Sequence, residues 1–146
     1  MLVEDLMDRD LTSLGEDATL MEAIEVLSRH RIPGIPIVND EGKVIGFLSE
    51  KDIVRAALPG YVDLLDDPSY VPDMGQFKVR MRRVSKDKVG RHMTKEVICL
   101  NASDSDFHAA LIMIKKNLKR VPVVEEDGIL VGVLNRADII EHLMSE

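Results

Sequence analysis

The chain has no tryptophan, one cysteine and 3% aromatic residues in a length of 146. A lone cysteine excludes an intrachain disulfide. The place of Cys99 in the apolar run Val97-Ile98-Cys99-Leu100 predicts a small buried hydrophobe rather than a nucleophile. With 45% hydrophobic residues and so few rings, the core must be aliphatic, built from Leu, Ile, Val and Met. No apolar run approaches the roughly 18–20 residues that cross a bilayer, and the opening MLVEDLMDRD is acidic with no apolar signal region. A cytoplasmic protein without membrane contact is expected. The net charge of −7 argues against nucleic-acid binding by the whole surface, leaving only local basic patches. No Walker loop, GxGxxG motif or nucleophile–base pair occurs, so the sequence supports no enzymatic activity. His30, His92, His108 and His142 share no ligand spacing with Cys99 or an acid pair; they are expected to face solvent, with no metal site.

What the chain does contain is itself, twice. Residues 3–58 align with 89–144 at a constant offset of 86 without a gap, pairing Met7 with Met93, Ala23 with Ala109, Pro36 with Pro122, Gly42 with Gly128, Gly46 with Gly132 and Asp52 with Asp138. A duplicated unit creates a pseudo-twofold seam where two equivalent clefts can form. Each unit is small enough to be marginal alone, so the two are expected to share a core. The division is 1–58 for the first repeat, 59–88 for a connection and 89–146 for the second repeat.

Within the first repeat, Leu11–Leu14 reads as a short strand and Thr19 with Glu22 as a capping box that opens a helix. Leu20, Ala23, Ile24 and Leu27 form its apolar face, and Pro33-Gly34 stops it. Strands 35–38 and 44–48 flank the turn Asn39-Asp40-Glu41-Gly42, and Ser49 opens a second helix. The second repeat gives the same order: strand 97–100, helix 105–117, strands 121–124 and 130–134, and helix 135–144. Its first helix is apolar on more than one face, which implies contact with the other repeat or with a second subunit. The fold class is α+β, with two pseudo-symmetric strand-helix-strand-strand-helix units packed through their sheets. The connection holds Pro59-Gly60, the acidic stretch 63–67, Pro68 and Pro72, then a basic segment 77–88 with Phe77, Met81 and Val84 at helical spacing. This segment is read as a docked amphipathic helix, as a phosphate-ligand or lid element, or as a binding site for nucleic acid or a partner protein.

The run IPIV-turn-GKVIGFLSEKDI, echoed by RVPVV-EEDG-ILVGVLNRADI, resembles the cystathionine β-synthase (CBS) domain, and the tandem resembles a CBS pair or Bateman module. The resemblance implies a regulatory sensor without catalysis, binding AMP, ADP, ATP or S-adenosylmethionine between the repeats. It also implies a homodimer that meets through helices and acts on an unknown regulated protein. The family's signature, Gly-x-x-Ser/Thr-x-x-Asp, is complete at Gly46–Asp52, whereas Gly132–Asp138 carries Asn135 in place of the hydroxyl. By this resemblance the primary cleft takes Phe47, Ser49 and Asp52 with Met93, Ile98, Leu118, Lys119 and Arg120. The secondary cleft takes Val133, Asn135 and Asp138 with Met7, Thr12, Ile32, Pro33 and Gly34.

The residue chemistry is compatible with that role. An ionised Asp accepts both hydroxyl protons of a ribose diol, and a helix start favours a nearby anion. Ser49-x-x-Asp52 and Asn135-x-x-Asp138 are equally well read as helix N-caps, and the two roles can coexist. Lys119-Arg120 either grips a phosphate or complements a helix dipole. The alternative to ligand sensing is a ligand-free dimerisation or docking scaffold, with the basic segment 77–88 available to nucleic acid.

Overall fold

In the computed structural model, which describes residues 1–61 and 75–145, the elements run α1 (Val3–Leu6), α2 (Leu20–His30), β1 (Gly34–Val38), β2 (Val44–Ser49) and α3 (Glu50–Ala57). They continue with α4 (Gln76–Val84), α5 (Val89–His92), β3 (Leu100–Asn101), α6 (Asp106–Lys115), β4 (Arg120–Val124), β5 (Leu130–Asn135) and α7 (Arg136–Met144). The acidic stretch 63–67, Pro68 and Pro72 lie outside the described residues. No helix among the described residues is long and apolar enough to cross a membrane.

Local chemistry sets the helix starts. Thr19 Oγ1 accepts the Glu22 N–H at 3.2 Å, and Ser105 Oγ accepts the His108 N–H at 3.1 Å, each satisfying a donor that the first helical turn leaves unpaired. The cap at Thr19 is one-sided rather than a full box. Arg31 and Asn117, again 86 apart, take left-handed backbone (φ 55° and 52°) and turn the chain out of α2 and α6. β1 and β2 pair antiparallel, as do β4 and β5, and each hairpin carries a register shift at the same point, Ile37/Val38 and Val123/Val124. Gly42 (φ 83°) and Gly128 (φ 84°) occupy turn positions that a side chain would strain.

The first strands are shorter than the sequence suggests. The predicted strand 11–14 reduces to one parallel bridge from Leu14 to Ile37. Its backbone is engaged locally: Asp10 Oδ1 accepts the Thr12 N–H at 2.9 Å, an Asx-type turn that competes with a ladder. In the second repeat β3 is two residues long and pairs parallel with β4, so that sheet has the order β3-β4-β5.

The repeats exchange their leading segments. Val3 and Leu6 of α1 are buried with Leu100, Met113, Val121 and Leu134 of the second repeat, while Val89 of α5 is buried with Leu20, Leu27, Ile35 and Leu48 of the first. The contacts are pseudo-symmetric: Val3 N–H donates to Asp104 O at 2.8 Å and Val89 N–H to Ala18 O at 2.7 Å. Two cores therefore replace the single shared core that the sequence suggests. Each core is closed by the other repeat's leading helix, so neither repeat has a complete core of its own.

Beyond those helices the exchanged segments run along the sheets. Phe47 and Thr94 trade two backbone hydrogen bonds of 2.9 Å, and Asp8 and Val133 trade bonds of 2.8 and 2.9 Å. Gly46 and Gly132 permit this approach: a Cβ on Gly132 would lie 2.6 Å from the Asp8 carbonyl oxygen and 2.8 Å from the Met7 sulfur. Gly132→Ala is expected to lower unfolding free energy by about 1–3 kcal/mol through overpacking. A urea transition with an unchanged midpoint would show that the exchanged segment yields instead.

The basic segment forms α4, which docks on the first repeat. Met81 and Val84 pack against that core, and Arg80 Nε donates to Ala57 O at 2.8 Å, at the carbonyl-rich end of α3. Lys78, Arg82, Arg83 and Lys86 point outward. Nothing equivalent lies over the second repeat among the described residues. Ala57 is 0% exposed, whereas its counterpart Leu143 is 58% exposed. Phe107 (71%), Leu111 and Ile114 (69%) form an outward stripe on α6 beside exposed Ile140 and Met144 of α7. The apolar excess predicted for this helix therefore faces away from the other repeat.

Candidate functional site at the repeat seam

Each repeat ends its hairpin in a capped carboxylate corner. At the first corner, Asp52 Oδ2 accepts the Ser49 N–H at 3.0 Å and the Ser49 hydroxyl at 3.2 Å, and Ser49 Oγ accepts the Asp52 N–H at 3.3 Å. The capping role is thus present. A carboxylate offers about four acceptor positions, so the cap leaves capacity for a diol. Thr94, from the second repeat's leading segment, points its hydroxyl at both Asp52 oxygens at 3.4 Å. Phe47, Ser49, Asp52 and Met93 accordingly meet, with the Met93 sulfur against the bare face of Gly46.

The second corner is built differently. Asp138 Oδ2 accepts the Asn135 N–H and the Asn135 Nδ2–H, both at 3.0 Å. Asn135 Oδ1 then accepts from Arg120 Nη1 at 3.0 Å. Met7, Val133, Asn135 and Asp138 come together here, with Asp8 paired to Val133. Asp8 Oδ1 accepts the Asp10 N–H at 2.9 Å, and Asp10 Oδ1 accepts the Thr12 hydroxyl at 2.6 Å.

Arg120 is tied to the second corner by its hydrogen bond to Asn135. It is only 8% exposed, and its Nε is buried with no hydrogen-bond partner. The resemblance placed it with Asp52; strand register sets it opposite Asn135, just as Gly34 lies opposite Ser49. Leu118 packs on the second repeat's core and Ile32 on the first's, so both stay with their own units. A Cβ on Gly34 would lie 2.5 Å from the Phe47 ring, and Pro33 O accepts the Glu50 N–H at 2.9 Å, which keeps both beside the first corner. Ile98 is half-buried and Lys119 is exposed. Thr94, Asp8 and Asp10 were missed, although the pairing of Met7 with Met93 marks the residues that follow as equivalents.

Burial lowers the pKa of the Arg120 guanidinium from its ordinary value, while the charges of Asp10, Asp8 and Asp138 oppose that shift. The Asp10 carboxyl is held below the usual carboxylate range, first by the hydrogen bonds from Thr12, with Arg120 and His30 adding charge attraction. A depressed carboxyl contributes stability above its unfolded pKa and loses it as pH falls through its folded value. Thr12→Val is expected to move the Asp10 titration upward in a carboxyl-detected NMR experiment, and an unmoved titration would remove the Thr12 hydroxyl as its cause.

His92 departs from the solvent-facing expectation: its Nε2 lies 2.8 Å from Asp87 Oδ2 and its side chain is 18% exposed. Cys99 is half-buried rather than fully buried, and desolvation raises its thiol pKa. No group of His, Cys, Asp or Glu among the described residues could hold a metal ion. A surface hollow of about 480 Å³ lies between Glu16 and Asp17 of the first repeat and Lys88, Gly90 and Arg91 around α5, and Lys88 and Asp17 pair across it at 3.3 Å.

Two hairpin-and-helix repeats that exchange leading segments and present paired carboxylate corners at a pseudo-twofold seam define a tandem-repeat α+β architecture. The CBS domain family matches residues 3–59 and again 89–145, and the chain belongs to that family. An uncharacterised protein of Methanocaldococcus jannaschii, MJ1426, is 33% identical, with 99% of this chain and 92% of that one covered. The CBS domain pair of protein MJ0100, solved in complex with 5'-methylthioadenosine and S-adenosyl-L-methionine, superposes with a TM-score of 0.71 at 24% identity, covering 98% of this chain and 95% of that one. CBSX2 in complex with AMP superposes with a TM-score of 0.75 at 23% identity, covering 98% of this chain and 96% of that one.

Proposed function

We propose that this protein is a non-catalytic regulatory module that binds an adenosyl ligand at the carboxylate corners between its repeats and alters the behaviour of a partner protein. The observation that carries the reading is the duplicated corner: twice, a capped Asp starts the helix that follows a strand joined by the other repeat's leading segment, Thr94 at Phe47 and Asp8 at Val133, and at the first corner the Thr94 hydroxyl reaches Asp52. A ligand seated there touches both repeats and can bias their relative arrangement, with coupling of roughly 1–3 kcal/mol. The complexes of MJ0100 and CBSX2 support adenosyl chemistry for the ligand. A thermal-shift screen of adenosine, AMP, ADP, ATP, 5'-methylthioadenosine and S-adenosylmethionine tests it. A ligand at 100 times its dissociation constant should add about 2.7 kcal/mol of stability. No shift with any of them would remove the reading.

The assembly we propose is a homodimer through α6 and α7. Phe107, Leu111 and Ile114 repeat the i, i+4, i+7 spacing of Phe77, Met81 and Val84, the stripe by which α4 approaches α3. In a second copy the α6 stripe would cover α7 in the same manner. Lys115 beside Ile114 and Glu141 beside Ile140 supply opposite charges at the rim for such a self-complementary contact.

A further inference from the structure

Asn135 differs from Ser49 in more than size. At the first corner the serine hydroxyl spends its one donor on Asp52 Oδ2, and the same short-reaching oxygen accepts from Asp52 N. An amide has separate donor and acceptor ends. Asn135 spends Nδ2 on Asp138 and keeps Oδ1 for Arg120. The register partners thus come as matched sets: Ser49 with Gly34, which has no side chain to hold, and Asn135 with Arg120.

The surroundings of Arg120 are acidic. Asp138 shares Asn135 with it, and Asp8 enters through the paired bonds to Val133 and reaches Asp10. Those three carboxylates outnumber the one guanidinium. A phosphate brought to this corner would meet a cation already compensated and three like charges. An uncharged or cationic adenosyl group would not.

We infer that Asn135 clamps Arg120 as an internal counter-ion of Asp8, Asp10 and Asp138, so that the Asp138 cleft selects adenosyl ligands lacking phosphate over nucleotides. The inference rests on the adenosyl-ligand reading above and names the ligand class within it. It also turns the departure at Asn135 from a weakened motif into a specificity determinant, with Asn135 as the positioning residue.

Asn135→Ser tests it and reproduces a corner the fold already contains at Ser49. Calorimetry is run in an Asp52→Ala background so that the Asp138 cleft reports alone. With Asn135 present, adenosine should bind at least as tightly as AMP. In Asn135→Ser the released Arg120 should raise AMP affinity relative to adenosine about tenfold, and added salt should erode that gain. A tenfold preference for AMP with Asn135 present, or a ratio unmoved by the substitution, overturns the proposal. A second measurement needs no ligand: modification of Arg120 by phenylglyoxal, followed by peptide mass spectrometry, should be several-fold faster in Asn135→Ser. Equal rates would refute the clamp even if nucleotides bind. Accelerated modification without binding of any adenosyl compound would keep the clamp and remove the ligand assignment.

Discussion

Asp52→Ala and Asp138→Ala are each expected to weaken adenosyl-ligand binding at their own corner by roughly 10- to 150-fold, the equivalent of about 1.5–3 kcal/mol for hydrogen bonds to a charged group. Each carboxylate uses one oxygen for its helix cap, Asp52 through Ser49 and Asp138 through Asn135. Alanine therefore removes a cap as well as a ligand contact, and some loss of stability, about 0.5–2 kcal/mol, accompanies it. Asparagine separates the two effects, because it keeps an acceptor for the cap and discards the charge. Calorimetry on the Ala and Asn variants, with circular dichroism confirming the fold, makes the comparison. Unchanged affinity in all four variants would leave both residues as caps alone.

The second large effect concerns assembly. Ile114→Glu combined with Ile140→Glu should convert the proposed dimer to a monomer. The two wild-type side chains are 69% and 66% exposed in the single chain, so the carboxylates cost the isolated fold little. Buried in an apolar interface without partners, they would be strongly unfavourable. Sedimentation velocity at micromolar concentration reads the outcome directly. Val54→Glu, the counterpart of the Ile140 change on the first repeat, should leave the dimer intact because that residue is not part of the proposed contact. A wild-type monomer, or a dimer indifferent to the double substitution, would send the contact elsewhere.

The elements that were legible in the sequence are those governed by neighbours along the chain. The Thr19 and Ser105 caps, the Gly42 and Gly128 turns and the hairpins they join all follow from local conformational preference. The exchange of α1 and α5 could not be read that way. Val3 and Val89 occupy equivalent places in the two repeats, and a repeat pattern does not state which copy a leading helix will cover.

The site divides along the same line. Ser49 with Asp52 and Asn135 with Asp138 are three residues apart and form their corners as spacing implies. Arg120 was assigned to the opposite corner because its partner depends on strand register and on the spare acceptor of Asn135, neither of which is a property of nearby sequence. Thr94 and Asp8 are brought to the corners by the backbone bridges to Phe47 and Val133. Their side chains carry no motif by themselves.

In the proposed assembly, the cover that α4 places over the first repeat limits the number of neighbours a chain can have. Two equally bare helical faces at opposite ends would give each chain two sticky ends, and such a molecule can add copies without limit into a filament. With α4 over one end, a dimer through α6 and α7 would stop growth at two. The connecting segment would then act as a chain terminator for assembly, and displacing it from Ala57 and the α3 terminus would raise the valence of the molecule from one to two.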